Sequence, residues 1–252
     1  MTSSSHAALA RSFDRVAAEY AASRPTYPPE LFDAVEELSE RSLTGATVID
    51  VGAGTGIGTR LLGERGARVT AVEPGAGMAA QFGAALPAVP LVRADGNALP
   101  FADGAADFVT YAQAWHWTDP ARSVPEALRV LRPDGALAMW WNMPDLSHRW
   151  IAAQEARLAE RCAGYRPPGF PQTVPGLLAH FAVRVRTRSI RWSRRITVDD
   201  RLRTLATHSF LAVMGAAADP VLRAEREELR TLFPDGTLDE PYVTNVTVAH
   251  RA

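Results

Sequence analysis

A short apolar strand that runs directly into a glycine cluster constrains this chain more than any other stretch: Val48-Ile49-Asp50-Val51-Gly52-Ala53-Gly54-Thr55-Gly56. Glycine has no Cβ, so such a turn folds tightly and lets its N–H groups approach a ligand that a side chain would block. The next apolar segment ends at Glu73, at roughly the 20-residue interval where nucleotide-binding folds place a carboxylate for ribose hydroxyls. Glycine turn and carboxylate together read as an adenosine-binding half-site.

The segments around it alternate between strand and helix. Strands are expected at 47–51, 68–73, 89–93, 107–112 and 136–142. Helices are expected to start near Gly56, Gly75 and Pro120, the last with Asp119 as N-cap and Pro120 at its first position. Pro133-Asp134-Gly135 reads as a turn feeding the fifth strand. This order predicts a parallel sheet covered on both faces. Upstream, Phe13, Val16, Ala17 and Tyr20 share a helical face that ends before Arg24-Pro25. Pro28-Pro29 opens a second helix carrying Leu31, Val35 and Leu38. Downstream the pattern changes. A helix is expected at 147–163, a Pro/Gly-rich loop at 164–176, an alternating strand at 181–195, helices at 198–214 and 219–233, a turn at 234–236 and a last strand at 242–250.

Composition narrows the chemistry. At 252 residues the chain can bury one large core with an inserted or appended lobe, and 47% apolar against 22% charged residues is ordinary for a globular protein. The net charge of -1 supplies no global field for nucleic acid or a membrane. All basic side chains are arginine. The absence of lysine excludes a pyridoxal Schiff base, a phosphate-loop lysine and a lysine general base. Cys162 is the single cysteine and reads as a packing residue. No apolar run approaches membrane-spanning length, residues 1–11 lack the apolar core of a signal peptide, and no metal site is expected. The expected location is cytoplasmic.

The nucleotide can be narrowed further. A dinucleotide fingerprint needs G-x-G-x-x-G, but Gly52, Gly54 and Gly56 give G-x-G-x-G, and Ile57 stands where the third glycine belongs. A pyrophosphate needs the helix N-terminus open to it, whereas a cofactor without phosphate does not. Asp50-Val51-Gly52-Ala53-Gly54-Thr55-Gly56 resembles motif I of class I S-adenosylmethionine-dependent methyltransferases. Ala94-Asp95-Gly96-Asn97-Ala98-Leu99-Pro100-Phe101, Asp107-Phe108-Val109 and Val130-Leu131-Arg132-Pro133-Asp134-Gly135-Ala136-Leu137 extend the likeness. Phe13-Asp14, Tyr20, the run Arg24-Pro25-Thr26-Tyr27-Pro28 and Gln113-Ala114-Trp115-His116-Trp117 resemble the small-molecule branch that includes trans-aconitate-type enzymes. The similarity spans about residues 10 to 142.

That resemblance implies a single-domain α/β, Rossmann-like fold over 1–252. Its sheet would have seven strands, mostly parallel with the last antiparallel, with helices on both faces and a helical substrate cover. Residues 1–45 would be N-terminal cover helices, 46–142 the cofactor-binding core, and 143–182 and 191–240 substrate-pocket insertions. It implies S-adenosyl-L-methionine as cofactor. Gly52, Ala53 and Gly54 would approach its methionine part, Glu73 its ribose, and Asp95, Gly96 and Asn97 the adenine edge. Met78 and Pro74 would pack against the adenosine, and Tyr20 and Arg24 would close over it, Arg24 toward its carboxylate. Gln113 would face the methionine moiety from a strand tip.

Positioning for in-line displacement supplies much of the acceleration in methyl transfer, and a sulfonium is attracted to aromatic faces. Trp115 and Trp117, past the end of the fourth strand, are therefore expected to line the acceptor pocket. Trp140 and Trp141 are each either pocket residues or core or interface residues. His116 is the candidate catalytic group: it either removes a proton from an acceptor hydroxyl, or orients the loop or binds the acceptor through a hydrogen bond, and a carboxylate acceptor needs no base. His208 and Ser209, on a helix expected to cover the site, are further acceptor-side candidates. Arg184, Arg186 and Arg188, continued by Arg191, Arg194 and Arg195, read either as an anion-binding stripe or as the wet face of a strand near a sheet edge. The expected reaction is O-methylation of a carboxylate or hydroxyl on a small metabolite, with no nucleic-acid or membrane partner. The alternatives are a nucleic-acid or peptide methyltransferase and a non-catalytic S-adenosylmethionine-binding protein.

Overall fold

The computed structural model describes residues 24–162, 164–165 and 167–252, so the expected helix around Tyr20 lies outside the described residues. The chain forms two compact units. The larger comprises Thr26–Asn142, Gly169–Ile190 and Thr244–Ala252. The smaller comprises Met143–Pro168 and Arg191–Val243, together with Arg24 and Pro25.

In the larger unit, strands β1 (Thr47–Val51), β2 (Arg68–Val72), β3 (Leu91–Val92), β4 (Ala106–Ala112) and β5 (Leu131–Pro144) alternate with helices α2 (Ile57–Glu64), α3 (Ala76–Ala85) and α4 (Pro120–Val130), after an opening helix α1 (Pro29–Ser39). With β6 (Val183–Thr197) and β7 (Thr237–Arg251) they make one seven-stranded sheet in the order β3-β2-β1-β4-β5-β7-β6. It is mostly parallel, with antiparallel last strands, as the resemblance implies. β1 and β4 are buried almost throughout because both of their faces are covered. Parallel register does the positioning. Val51 pairs with Val72, so the glycine turn and Glu73 leave the sheet side by side. Asp50 pairs with Thr110, and Ala112 with Trp140, so Gln113 and Trp141 follow at neighbouring strand ends.

Trp140 is fully buried in the core. Tyr27 and Phe32 meet it edge-on at 6.1 Å each, and Leu31, Val35 and Leu38 on the inner face of α1 complete the cluster.

Three local expectations change. Pro133-Asp134-Gly135 is not a turn before the strand but a bulge within β5: Ala106 pairs with Leu131 while Phe108 pairs with Ala136. The Pro/Gly-rich loop at 164–176 contains the start of a helix, α6 (Phe170–Leu178). Pro171 suits its first turn, and Pro171, Val174 and Leu178 are buried at helical spacing that the proline and glycine content had masked. The helix expected at 198–214 breaks into α7 (Val198–Ala206) and α8 (Ser209–Met214), because His208 takes an extended conformation with φ −69° and ψ 136°.

Five of the six arginines of the stripe are paired with carboxylates. Arg186 pairs with Glu40 and Arg188 with Glu37 in the larger unit. In the smaller unit Arg191 meets Asp145, Arg194 meets Glu240, and Arg195 meets Asp235 and Asp239.

The smaller unit packs α5 (Arg149–Arg161), α7, α8 and α9 (Asp219–Leu232) around Leu158, Leu202, Leu205, Leu211, Val221 and Leu229. A Thr197–Asp200 capping box starts α7. A polar chain runs through this interior. Arg157 donates to both oxygens of Glu225 at 2.8 Å, Gln154 donates to Glu225 at 3.0 Å, Arg201 Nε donates to Gln154 at 2.9 Å, and Glu240 accepts from Arg201 at 2.7 Å and from Arg194 at 2.6 Å. Among the described residues no single helix is long and apolar enough to cross a membrane, and no cluster of His, Cys, Asp or Glu could hold a metal ion.

Candidate functional site

The glycine turn after β1 is held open by its own geometry. Gly52 has φ +70°, and a Cβ there would lie 2.5 Å from the Ala114 Cβ. Gly56, with φ +92°, is the N-cap of α2, and a Cβ on it would strike Leu86 and Phe82 at 2.6 and 3.1 Å. Glu73 is buried and pins the turn: one carboxylate oxygen accepts from Gly54 N at 2.9 Å, the other from Gly75 N at 2.7 Å. The Gly54 amide that a phosphate would need is thus engaged by a carboxylate. This arrangement suits a cationic, phosphate-free adenosine cofactor and opposes a pyrophosphate.

Beneath the turn, Asp50 is fully buried and accepts hydrogen bonds from Thr59 at 2.6 Å and Thr110 at 2.8 Å. Burial pushes its carboxyl up to about 6 against an ordinary 3.8. The two hydroxyl hydrogen bonds offset part of that rise, and the Glu73 charge adds to it. A folded-state value above the unfolded one means that the stability Asp50 contributes is fully present below pH 3.8 and is lost as pH rises through about 6. Urea denaturation of wild-type protein and Asp50→Asn should therefore show a stability difference that moves in favour of wild type by on the order of 2–3 kcal/mol as pH falls from 7 to 4. A difference that stays flat over this range contradicts the assignment.

The residues expected around adenine form a connected loop. Asp95 Oδ1 accepts from both the backbone N and the side-chain Nδ2 of Asn97, each at 2.9 Å, and Asn97 Oδ1 accepts from Asp119 N at 2.8 Å. The Gly96 carbonyl accepts from the Tyr111 hydroxyl at 3.4 Å. Met78 is buried on α3, the Pro74 carbonyl accepts from Arg93 at 2.5 Å, and Ala53 is buried with Ala71 and Phe82.

At the end of β4 the backbone is strained. Gln113 has φ +57°, unusual for a non-glycine residue, and is held there by its N–H to the Trp140 carbonyl (2.9 Å) and its Nε2 to the Asn142 carbonyl (3.3 Å). A 3-10 turn, Trp115–Trp117, follows. Trp115 is buried, with its indole N–H donating to Ser123 at 3.0 Å. His116 and Trp117 are partly exposed, their rings 4.8 Å apart. Trp141 is buried and donates its indole N–H to His116 Nδ1 at 3.2 Å. Phe170, which no sequence motif marked, packs against all three neighbours: 6.2 Å from Trp115, 5.6 Å from His116 and 5.5 Å from Trp141.

The larger unit thus brings together Gly52, Ala53, Gly54, Glu73, Pro74, Met78, Asp95, Gly96, Asn97, Gln113, Trp115, His116, Trp117 and Trp141. Arg24, His208 and Ser209 belong to the smaller unit, and Tyr20 lies outside the described residues. Arg24 donates to the Thr207 carbonyl at 3.1 Å, at the break between α7 and α8. His208 is the N-cap residue of α8 and Ser209 its first residue. Enclosure by protein, and then the Arg24 and Arg201 guanidiniums, hold the His208 imidazole well below the ordinary histidine range.

The architecture is a mostly parallel α/β sheet with a glycine turn pinned by a buried carboxylate at the carboxyl ends of its strands. Residues 49–139 match the methyltransferase domain family. An uncharacterized methyltransferase of Mycobacterium tuberculosis is 41% identical over 143 residues, 57% of each chain, so the match spans little more than half the length of that relative. A structure described as a type II methyltransferase candidate from Anaeromyxobacter dehalogenans superposes with TM-score 0.65 at 26% identity, covering 90% of this chain and 97% of that one. A Haemonchus contortus phosphoethanolamine N-methyltransferase, solved with phosphomonomethylethanolamine and S-adenosylhomocysteine, shares the fold with TM-score 0.57 at 16% identity over 94% of this chain and 57% of that one. The match over residues 49–139 and these relatives support a class I S-adenosylmethionine-dependent methyltransferase fold for that stretch.

Proposed function

We propose that the protein transfers a methyl group from S-adenosylmethionine to a small-molecule acceptor, at a carboxylate or hydroxyl oxygen. The observation that carries the reading is the common edge of β1, β2, β4 and β5, where the Glu73-pinned glycine turn and the His116 aromatic cluster follow neighbouring strand ends. The cofactor supplies a methyl group on a positively charged sulfur and departs as the neutral thioether. In this reading Glu73 takes the ribose hydroxyls, Gly52, Ala53 and Gly54 give backbone access, and Asp95, Gly96 and Asn97 hold the adenine edge with Met78 and Pro74 against it. Gln113 faces the methionine part.

On the acceptor side, Trp117 and Phe170 offer apolar and π surface, His116 a polar nitrogen, and Trp115 and Trp141 support from beneath. Positioning and exclusion of water are the protein's main contributions to an in-line displacement. The carboxylate partners of the arginine stripe weaken the case for a nucleic-acid substrate, which needs cations available to phosphates. The test is a screen for S-adenosylhomocysteine release over a metabolite library rich in carboxylic acids and phenols, with Glu73→Ala as control. Release with at least one acceptor, absent in the control, is expected. A protein that binds the cofactor yet releases product with no acceptor is a binding protein and not an enzyme.

A further inference from the structure

The contact between Trp141 and His116 determines more than packing. A neutral imidazole carries one proton, so a ring whose Nδ1 accepts from the Trp141 indole N–H must carry that proton on Nε2. The ring is boxed by Trp117 and Phe170, with centroids 4.8 and 5.6 Å away. Turning it over would set a carbon against the indole of Trp141, which is only 2% exposed, and leave a buried donor unmet, disfavouring that state by about tenfold or more. Protonating Nδ1 would oppose one N–H with another.

We propose that Trp141 is a positioning residue that locks His116 in its Nε2–H form, making His116 a hydrogen-bond donor to the acceptor oxygen instead of the base that deprotonates it. The role at the acceptor rests on the methyl-transfer reading above; the tautomer lock does not. Donation from Nε2–H to an oxygen that arrives already ionised needs no proton removed. The methyl carbon forms its new bond to that oxygen as the carbon–sulfur bond breaks and its electron pair stays on sulfur.

Long-range ¹⁵N spectra of the imidazole rings in the full chain test the lock directly, with His116 among the six histidines assigned by His116→Gln. In wild-type protein at a pH where the ring is neutral, Nε2 should carry the proton and Nδ1 should show the shift of an acceptor nitrogen. Trp141→Phe keeps an aromatic ring and removes the N–H, and should move the tautomer ratio toward Nδ1–H by about tenfold. A wild-type ring protonated at Nδ1, or a ratio unmoved in Trp141→Phe, overturns the lock, and the wild-type spectrum decides by itself if the variant does not fold. With an acceptor found in the screen, His116→Gln, which keeps an N–H donor but cannot take up a proton, should retain most of the kcat that His116→Ala loses. Equal loss in the two variants overturns the donor role. Because the spectra need no turnover, failure of the lock and failure of the methyl-transfer reading are separable.

Discussion

Glu73→Ala is expected to weaken S-adenosylmethionine and S-adenosylhomocysteine binding by at least about 100-fold, measured by calorimetry. Charge-assisted hydrogen bonds from ribose hydroxyls contribute about 1.5–3 kcal/mol each. The same substitution also leaves Gly54 N and Gly75 N without their acceptor, so the glycine turn is less ordered before any ligand arrives. Glu73→Gln should fall between the two, since an amide offers one acceptor oxygen where the carboxylate offers two. Loss of the Glu73 charge should also move the Asp50 carboxyl down, because Glu73 is one of the groups that raises it. Binding constants within about threefold of wild type would mean that this carboxylate only braces the loop.

The second large effect falls in the smaller unit. Glu240→Ala should destabilise the fold by about 3–5 kcal/mol in urea denaturation, a large share of a typical domain's stability. Glu240 is fully buried between Arg194 and Arg201, and Arg201 is itself only 2% exposed, so removal of the carboxylate strands a guanidinium in the interior. The paired change Glu240→Leu with Arg201→Met should cost far less, because it removes both charges. Burial pushes the Glu240 carboxyl up, but Arg201 and then Arg194 outweigh it and hold the group below its ordinary 4.5. The stability it contributes is therefore present above pH 4.5 and lost as pH falls through the depressed value, opposite in sign to Asp50. A loss under about 1 kcal/mol for Glu240→Ala would show that the cavity admits water and the charge is not stranded.

Where sequence reading succeeded, the chemistry was local. The glycine turn, the strand before it and the Asp119 cap each sit within a few residues, and backbone geometry alone decides them. Where it departed, a competing local signal or a distant partner decided. Proline and glycine around 164–176 read as a loop because the buried Pro171–Val174–Leu178 spacing shows only once something packs on it. The helix expected at 198–214 carried no glycine or proline to mark its break at His208. Trp140 and Trp141 are adjacent in sequence, yet one fills the core beside Tyr27 and Phe32 while the other meets His116. Strand alternation separates their faces, and only the neighbouring elements say which face is which.

The sequence by itself determined the alternation of strands and helices through β5, the glycine turn and the carboxylate at the end of the next strand, since these depend on spacing and on the absence of a side chain. Only the tertiary structure decided that Glu73 closes the turn, that Phe170 joins the His116 cluster from more than fifty residues away, and that the arginine stripe is balanced by carboxylates. Hydrogen bonds and ring contacts of that kind are set by which residues the sheet register and helix packing bring within a few ångströms, and no local pattern along the chain encodes that distance.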